Sequence, residues 1–290
     1  MITYLKHSDI DKAKWDDCID KSINRLVYAT SWYLDMVSPD WEALVTTDYQ
    51  MVMPLPVKRK FFLEYLVQPV FTQQLGVYSA LKISPDRVTD FLNHIPRKFF
   101  RQILNMNTAN VITYDTRLTN RVNFELDLNR SYSLIYDDYN ENTQRNIRKA
   151  ITNGVLVEPS NDIILFIDFY KKNAKEKPNQ FVLEKLWKIL THSIENQKGE
   201  LVFAVDKGGR VVSGAFFLMD LGRIIYLISF STPEGQENSA MFLLMDEMIK
   251  KHAKNPFIFD FEGSMIPGVA RFFAGFGPEL KVYQQYRKGW

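Results

Sequence analysis

Two carboxylates at the end of an apolar strand are the first residues in this chain that could do chemistry. The segment Phe257–Gly277, FIFDFEGSMIPGVARFFAGFG, reads as a buried strand, a tight turn, a short basic-aromatic helix and a glycine exit. Side chains alternate faces along a strand, so Phe257, Phe259 and Phe261 share one face and Ile258, Asp260 and Glu262 the other. Acids in such a place are costly unless they are paired, solvated or used. If used, Asp260 or Glu262 orients an attacking amine or accepts its proton, because like charge and partial burial raise one carboxyl toward neutrality. If structural, Glu262 pairs with Arg271 or solvates the turn, and Asp260 accepts backbone amides.

Other constellations are weaker. Arg145, Arg148 and Lys149 fall at i, i+3 and i+4, which puts them on one cationic helix face suited to phosphates or simply to water. Guanidinium matches phosphate in a bidentate way, which favours Arg145 and Arg148 over Lys149. Lys58-Arg59-Lys60 closes a strand, and alternation lets one or two of the three point inward as part of an anion clamp. Tyr226 alternates with Ile224 and Ile228 on an apolar strand, where its phenol is a candidate proton donor to a leaving group. Phe272, Phe273 and Phe276 read as core. Ser264 has no G-x-S-x-G elbow around it. There is no P-loop and no G-x-G-x-x-G. Four scattered histidines show no metal-ligand spacing, so no metal site is expected.

The bulk composition narrows the class. The chain has 290 residues, enough for one large domain or two ordinary ones, and is 46% hydrophobic and 24% charged. It can therefore build a core. A net charge of +2 argues against a protein that coats nucleic acid. Cys18 is the only cysteine, on an amphipathic helix, which is consistent with a reducing cytoplasm. The opening MITYLKHSDIDKAKW lacks the apolar core of a signal peptide. The greasiest run, Val211–Phe230, is interrupted by Asp220, Gly222 and Arg223 and reads as a hairpin, not a membrane span.

The elements that must carry these residues follow from periodicity and punctuation. Strands are expected at 2–5, 41–47, 50–57, 61–67, 99–105 and 110–114, and helices at 8–19, 32–37 and 84–95. From residue 123 the pattern is clearer. A strand at 123–128 precedes a helix capped by Asn140 or Asn142 that ends at Asn153-Gly154. Helices at 162–175 and 181–196 follow. A meander then runs through 200–206, 211–219 and 223–230, with turns at Gly208-Gly209 and Leu221-Gly222. A helix at 237–254, a strand at 257–261, a helix at 267–274 and a strand at 280–287 complete the chain. The second half has the element order of the GNAT superfamily, and the first half follows a rougher version of it.

Three segments resemble the Fem-type aminoacyltransferases, which carry two GNAT-like domains in one chain. They are NTQRNIRKAITNG at Asn142–Gly154, FDFEGS with the following aromatic helix and FG exit at Phe259–Gly277, and PLPVKRK with QPVFTQQLG at Pro54–Gly76. The resemblance implies an α/β protein of two tandem GNAT-like domains, 1–122 (degenerate) and 123–290. Each would be a mixed, mostly antiparallel sheet flanked by helices, with a cleft between the two. It implies acyl or aminoacyl transfer to the amine of a small-molecule or peptide acceptor, a cell-wall precursor in the Fem branch. No covalently bound cofactor is implied. The donor is left open between aminoacyl-tRNA, with tRNA as partner, and acyl-CoA.

CoA enzymes of that superfamily hold pyrophosphate on a Q/R-x-x-G-x-G/A turn. Here that place reads Gln236-Glu237-Asn238-Ser239-Ala240-Met241, with Glu234 and Glu237 where phosphates would sit. The changed turn favours a non-CoA donor. It also keeps open a CoA enzyme with an atypical loop and a non-catalytic binding protein on the same fold. The residues expected to act are Asp260, Glu262 and Tyr226 in catalysis. Arg145, Arg148, Lys149, Lys58 and Arg271 are expected to bind substrate, and Gln236 and Ser239 the donor.

Overall fold

The computed structural model describes residues 1–113, 118–174 and 176–289. The chain divides into two compact units, Met1–Val122 together with Lys281–Trp290, and Asn123–Leu280. In chain order the elements are β1 (Ile2–Leu5), α1 (Lys12–Lys21), α2 (Ser31–Val37), β2 (Glu42–Thr46), β3 (Met51–Leu55), β4 (Val57–Lys60), β5 (Leu63–Val67), β6 (Tyr78–Ser79), α3 (Pro85–His94), β7 (Phe99–Asn105) and β8 (Leu118–Asp127). They continue with α4 (Tyr132–Asp137), α5 (Glu141–Thr152), β9 (Leu156–Ser160), α6 (Ile163–Asn173), α7 (Gln180–Glu195), β10 (Gly199–Val205), β11 (Val211–Asp220), β12 (Arg223–Ser231), α8 (Pro233–Glu237), α9 (Ala240–His252), β13 (Ile258–Asp260), α10 (Pro267–Ala274) and β14 (Glu279–Lys288).

In the first unit, β1-β2-β3-β6 form an antiparallel sheet. A second group runs β4-β5-β7-β14, in which β5 and β7 are parallel. Its last member corrects the expected domain limit. Gln285–Lys288 pair antiparallel with Gln102–Asn105, and residues Lys281–Trp290 group with the first unit. The buried cluster beneath includes Leu44, Met53, Leu66, Phe91 and Phe99. Ser84 caps α3 by accepting from the Arg87 amide, with Pro85 in the first turn.

The expected strand at 110–114 does not form over 110–113, and Tyr114 lies outside the described residues. Side-chain amides replace the ladder there. Asn110 both accepts from the Val77 N–H (2.6 Å) and donates to its carbonyl (2.9 Å), and Gln284 does the same for Ile112 (2.8 and 3.1 Å).

In the second unit the order is β8-β13-β12-β11-β10-β9. All neighbours are antiparallel except β12 and β13. Asn140, not Asn142, caps α5, its carbonyl oxygen accepting from the Thr143 amide at 2.8 Å. Gly154 takes φ +74° beyond the helix end. Helix α6 ends at Asn173, and Lys175, included in the expected helix, lies outside the described residues.

Periodicity did not mark β4, β6, α4, β9 or α8. β9 (LVEPS) contains Pro159 and pairs only with β10, at a sheet edge where the missing N–H costs no ladder bond. The expected 237–254 helix begins only at Ala240, as α9, because Ser239 before it sits in the left-handed region (φ +59°), and the short helix α8 precedes it. Phe259, Phe261, Phe273 and Phe276 pack ring to ring under β13 and α10.

Candidate functional site

The second unit contains a cavity of about 740 Å³. Its origin is the parallel pair. β12 and β13 are in register only at Arg223↔Ile258, Ile224↔Phe259 and Ile225↔Asp260. β13 ends there while β12 continues to Ser231. Past Ile225 the backbone of β12 has no ladder partner on that side among the described residues, and α10 provides the opposite wall.

A bulge in β12 then decides which side chains enter. The partner of Phe216 is Ile228 and that of Phe217 is Tyr226, so Leu227 is the extra residue. The simple alternation of Tyr226 with Ile228 is thereby broken. Tyr226, Ser229 and Ser231 line the cavity together. Phe273 stands edge-on to Tyr226 at 5.9 Å, and Phe242 and Phe272 make a second edge-on pair at 4.7 Å. The walls are therefore mainly aromatic, with a few hydroxyls.

The Tyr226 hydroxyl donates to Ser229 Oγ and lies 3.4 Å from Met241 Sδ. Burial pushes the phenol up to about 12. It is thus protonated at neutral pH, fit to donate a proton and unfit to accept one. Gln236 and Ser239 also line the cavity. Ser239 is buried, and its hydroxyl donates to Asn146 of α5 at 2.8 Å.

Gly235 belongs to the same wall. A Cβ there would lie 2.1 Å from the Val212 carbonyl, so only glycine lets α8 sit this close to β11.

The acid pair of the opening motif stands elsewhere. Asp260 is 1% exposed. Arg223 Nη1 bridges Asp260 Oδ2 and Glu125 Oε1, at 2.9 Å from each, and the Glu262 amide donates to Asp260 Oδ1 at 2.9 Å. Burial pushes the Asp260 carboxyl up, and the Arg223 guanidinium opposes that. Asp260 lines no part of the cavity, and its carboxylate neutralises Arg223. The structure thus places this expected catalytic residue in an ion pair with Arg223 and away from the cavity. Glu262 is half-buried with φ +58° and also lies off the cavity. Two left-handed residues, Glu262 and Gly263 (φ +40°), end the strand's alternation at Asp260, so the two acids do not share one strand face.

The cationic residues are dispersed. Arg145, Arg148 and Lys149 are exposed on α5. Asn146 and Asn153 of that helix both bond to the α8–α9 turn, through Ser239 and Asn238. At about 100° per residue Lys149 lies roughly 60° from Asn146 around the helix, whereas Arg148 lies roughly 160° away. Lys149, ranked below the arginines by its chemistry, is thus the nearest of the three to that turn. Arg271 is exposed on α10. Lys58 is exposed on β4 of the first unit, opposite Tyr65. Arg59 beside it is tied to Asp40 and Glu64 at 2.8 Å each. Glu234 is exposed at the start of α8, held below the usual carboxylate range by its own backbone amide and the Thr232 hydroxyl. Negative charge therefore persists at this turn. Cys18 is buried, and burial pushes its thiol up to about 11. Among the described residues no group of His, Cys, Asp and Glu could hold a metal ion, and no helix is long and apolar enough to cross a membrane.

No protein-family model matches the chain, and no curated protein resembles it in sequence. Solved structures do resemble it in fold. FemX is 11% identical with a TM-score of 0.67, over 95% of this chain and 96% of that one. The fold is Fem-type and GNAT-like. A conserved protein of unknown function from Bacteroides thetaiotaomicron is 12% identical (TM-score 0.62), over 99% of this chain and 100% of that one. The C-terminal domain of a putative lysylphosphatidylglycerol synthetase from Agrobacterium fabrum is 10% identical (TM-score 0.58), over 95% and 91%. Such identities carry architecture only.

Within this Fem-type fold the cavity adds residues that sequence reading passed over. Among the described lining residues Glu176 is the only carboxylate and there is no Lys, Arg or His. Tyr170 and Asn173 come from the end of α6, and Ser229 from beyond the bulge. Glu176 sits in the connection between α6 and α7, beside Lys177-Pro178, where no periodicity marks a side chain.

Proposed function

We propose that this chain transfers an acyl or aminoacyl group to an amine, with the chemistry in the cavity opened between β12 and α10. One observation carries the reading. The sheet separates after Ile225↔Asp260 and leaves an aromatic-walled space holding a neutral phenol, Tyr226, and a solvent-facing carboxylate, Glu176. The donor ester or thioester lies along the unpartnered edge of β12, whose backbone amides polarise its carbonyl. The amine nitrogen attacks the carbonyl carbon, and Glu176 takes the proton it sheds. Tyr226 gives its proton to the departing oxygen or sulfur as the carbonyl–leaving-group bond breaks. Glu262, half-buried beyond the strand end, is the alternative base. Aromatic walls and alignment of the reactants supply much of the acceleration.

The absence of a Lys, Arg or His among the described lining residues and the acidic α8 speak against a pyrophosphate seated inside it. An anionic part of donor or acceptor lies instead over Lys149 and Arg145, beside the α8–α9 turn. A donor in which the acyl group is esterified to a larger anionic carrier fits this division better than CoA does.

The test is mass spectrometry of ligands copurified with the protein, followed by transfer of the acyl group of that donor to an amine by wild type, Tyr226→Phe and Glu176→Gln. The expected result is a loss of turnover of about 10²-fold or more in each variant with binding retained. Turnover unchanged in both variants overturns the assignment. The capture of Asp260 by Arg223 favours one rival, a non-catalytic binding protein. That rival predicts ligand binding without turnover even in the wild type.

A further inference from the structure

The first unit carries a feature that neither its core nor the proposed transfer chemistry uses. Strands β4 and β5 close as a two-residue hairpin, with Lys60 opposite Leu63, and the tip is Phe61-Phe62. Phe61 is 88% exposed and Phe62 91%, the most exposed aromatic side chains among the described residues. Such turns favour Asn and Gly because one or both central residues need positive φ. Phe61 occupies that conformation (φ +54°), at a steric cost for a bulky side chain. The local geometry thus works against the residue that stands there, and the exposed rings add little to the packed interior.

The surroundings of the tip are basic and stiff. Lys58 and Lys60 are exposed on one face of the hairpin, and neither joins an ion pair among the described residues. Arg59 points the other way and braces the base through Asp40 and Glu64, while Lys98 binds Glu64 and Glu42 at 3.0 Å each. On the lysine face Tyr65 packs edge-on against Phe100, itself 38% exposed, and Arg101 follows, also exposed. The result is a braced, protruding pair of phenyl rings flanked by two ammonium groups outside any ion pair among the described residues, with Lys60 Nζ 6.0 Å from the Phe61 ring centroid.

We propose that this hairpin is a wedge that docks the protein on an anionic lipid surface, with Phe61 and Phe62 entering the headgroup–acyl boundary and Lys58 and Lys60 meeting lipid phosphates. Aromatic rings partition to that boundary, and lysines near an anionic leaflet add electrostatic attraction. A protein partner fits less well. A stable interface buries roughly 1,000 Å² or more, and a two-residue convex tip offers a fraction of that. A single short wedge gives reversible attachment, as one weak anchor does.

The test is vesicle flotation of the full chain with phosphatidylcholine alone and with phosphatidylcholine plus phosphatidylglycerol. The wild type floats with the anionic vesicles, and less at high salt. Phe61→Ser/Phe62→Ser abolishes flotation, and Lys58→Glu/Lys60→Glu weakens it by about tenfold or more. Phe61→Gly/Phe62→Ser also fails to float and, because the tip is outside the core, melts at or above the wild-type temperature, so its lost signal cannot be assigned to unfolding. A Phe62→Trp variant shifts its emission to the blue on adding anionic vesicles. Failure of the wild type to float, flotation untouched by the double serine variant, or a dimer that this variant converts to monomer overturns the proposal. The last outcome would assign the tip to a second copy of the chain.

Discussion

Asp260 separates a chemical from a structural reading of the opening motif, and its energetics can be worked out in advance. The side chains of Asp260, Arg223 and Glu125 are 1%, 18% and 11% exposed, so all three charges are largely out of water. Deleting the cation strands two carboxylates in a poorly solvated place. Breaking a buried ion pair from one side costs about 3–5 kcal/mol, so Arg223→Met should lose about that much. At roughly 2–4 °C per kcal/mol for a unit of this size, the melting temperature falls by about 6–20 °C. Asp260→Asn is milder. The carboxylate uses Oδ2 for Arg223 and Oδ1 for the Glu262 amide, and both partners are donors. An amide has one acceptor oxygen, so one donor must face an NH₂ group, while Arg223 keeps Glu125. The loss of one charge-assisted bond puts the cost at about 1.5–3 kcal/mol. The deficit of Arg223→Met shrinks as pH falls through the carboxyl range, because protonation discharges the stranded acids. The assay is thermal unfolding by circular dichroism between acid and neutral pH, with transfer measured on the same samples. An Asp260→Asn protein that melts like the wild type yet transfers nothing would refute the structural assignment and restore this carboxylate to the chemistry.

Two further outcomes follow from buried groups in the second unit. Asp246 of α9 is 3% exposed, its carboxylate accepts from the Tyr132 hydroxyl at 3.0 and 2.9 Å, and burial pushes it from 3.8 up to about 6. The folded state then holds a proton that the unfolded state releases, so this group's contribution falls as pH rises from about 4 to 6, by an order of 2–3 kcal/mol. Asp246→Asn should flatten that part of the stability–pH profile and melt higher than the wild type at neutral pH; equal profiles by urea titration would contradict this. Gly235→Ala places a methyl 2.1 Å from the Val212 carbonyl and should cost about 1–3 kcal/mol by overpacking while disturbing the cavity wall. A variant that melts and binds copurified ligand like the wild type would contradict the proposed closeness of α8 to β11.

Local sequence determined much of the second unit. The turns at Gly208-Gly209 and Leu221-Gly222, the Asn140 cap, the glycine after α5 and the proline opening α10 act within a few residues, so they mark their elements without any tertiary information. The likeness of element order to Fem-type and GNAT-like proteins follows from those marks. Local sequence was also enough to single out Asp260, Glu262, Tyr226, Gln236 and Ser239. It could not say which of them share a space. That depended on where a three-residue parallel pairing stops, on one extra residue at Leu227 that turns Ser229 toward Tyr226, and on Arg223, far from Asp260 in the chain, arriving between two acids. Glu176 entered the cavity from a connection with no periodicity, and the final strand joined the first unit through a ladder with residues 102–105. These are long-range contacts. A strand pattern shows that a side chain has a face, and only the folded partner decides whether that face meets a cavity, a counter-ion or another strand.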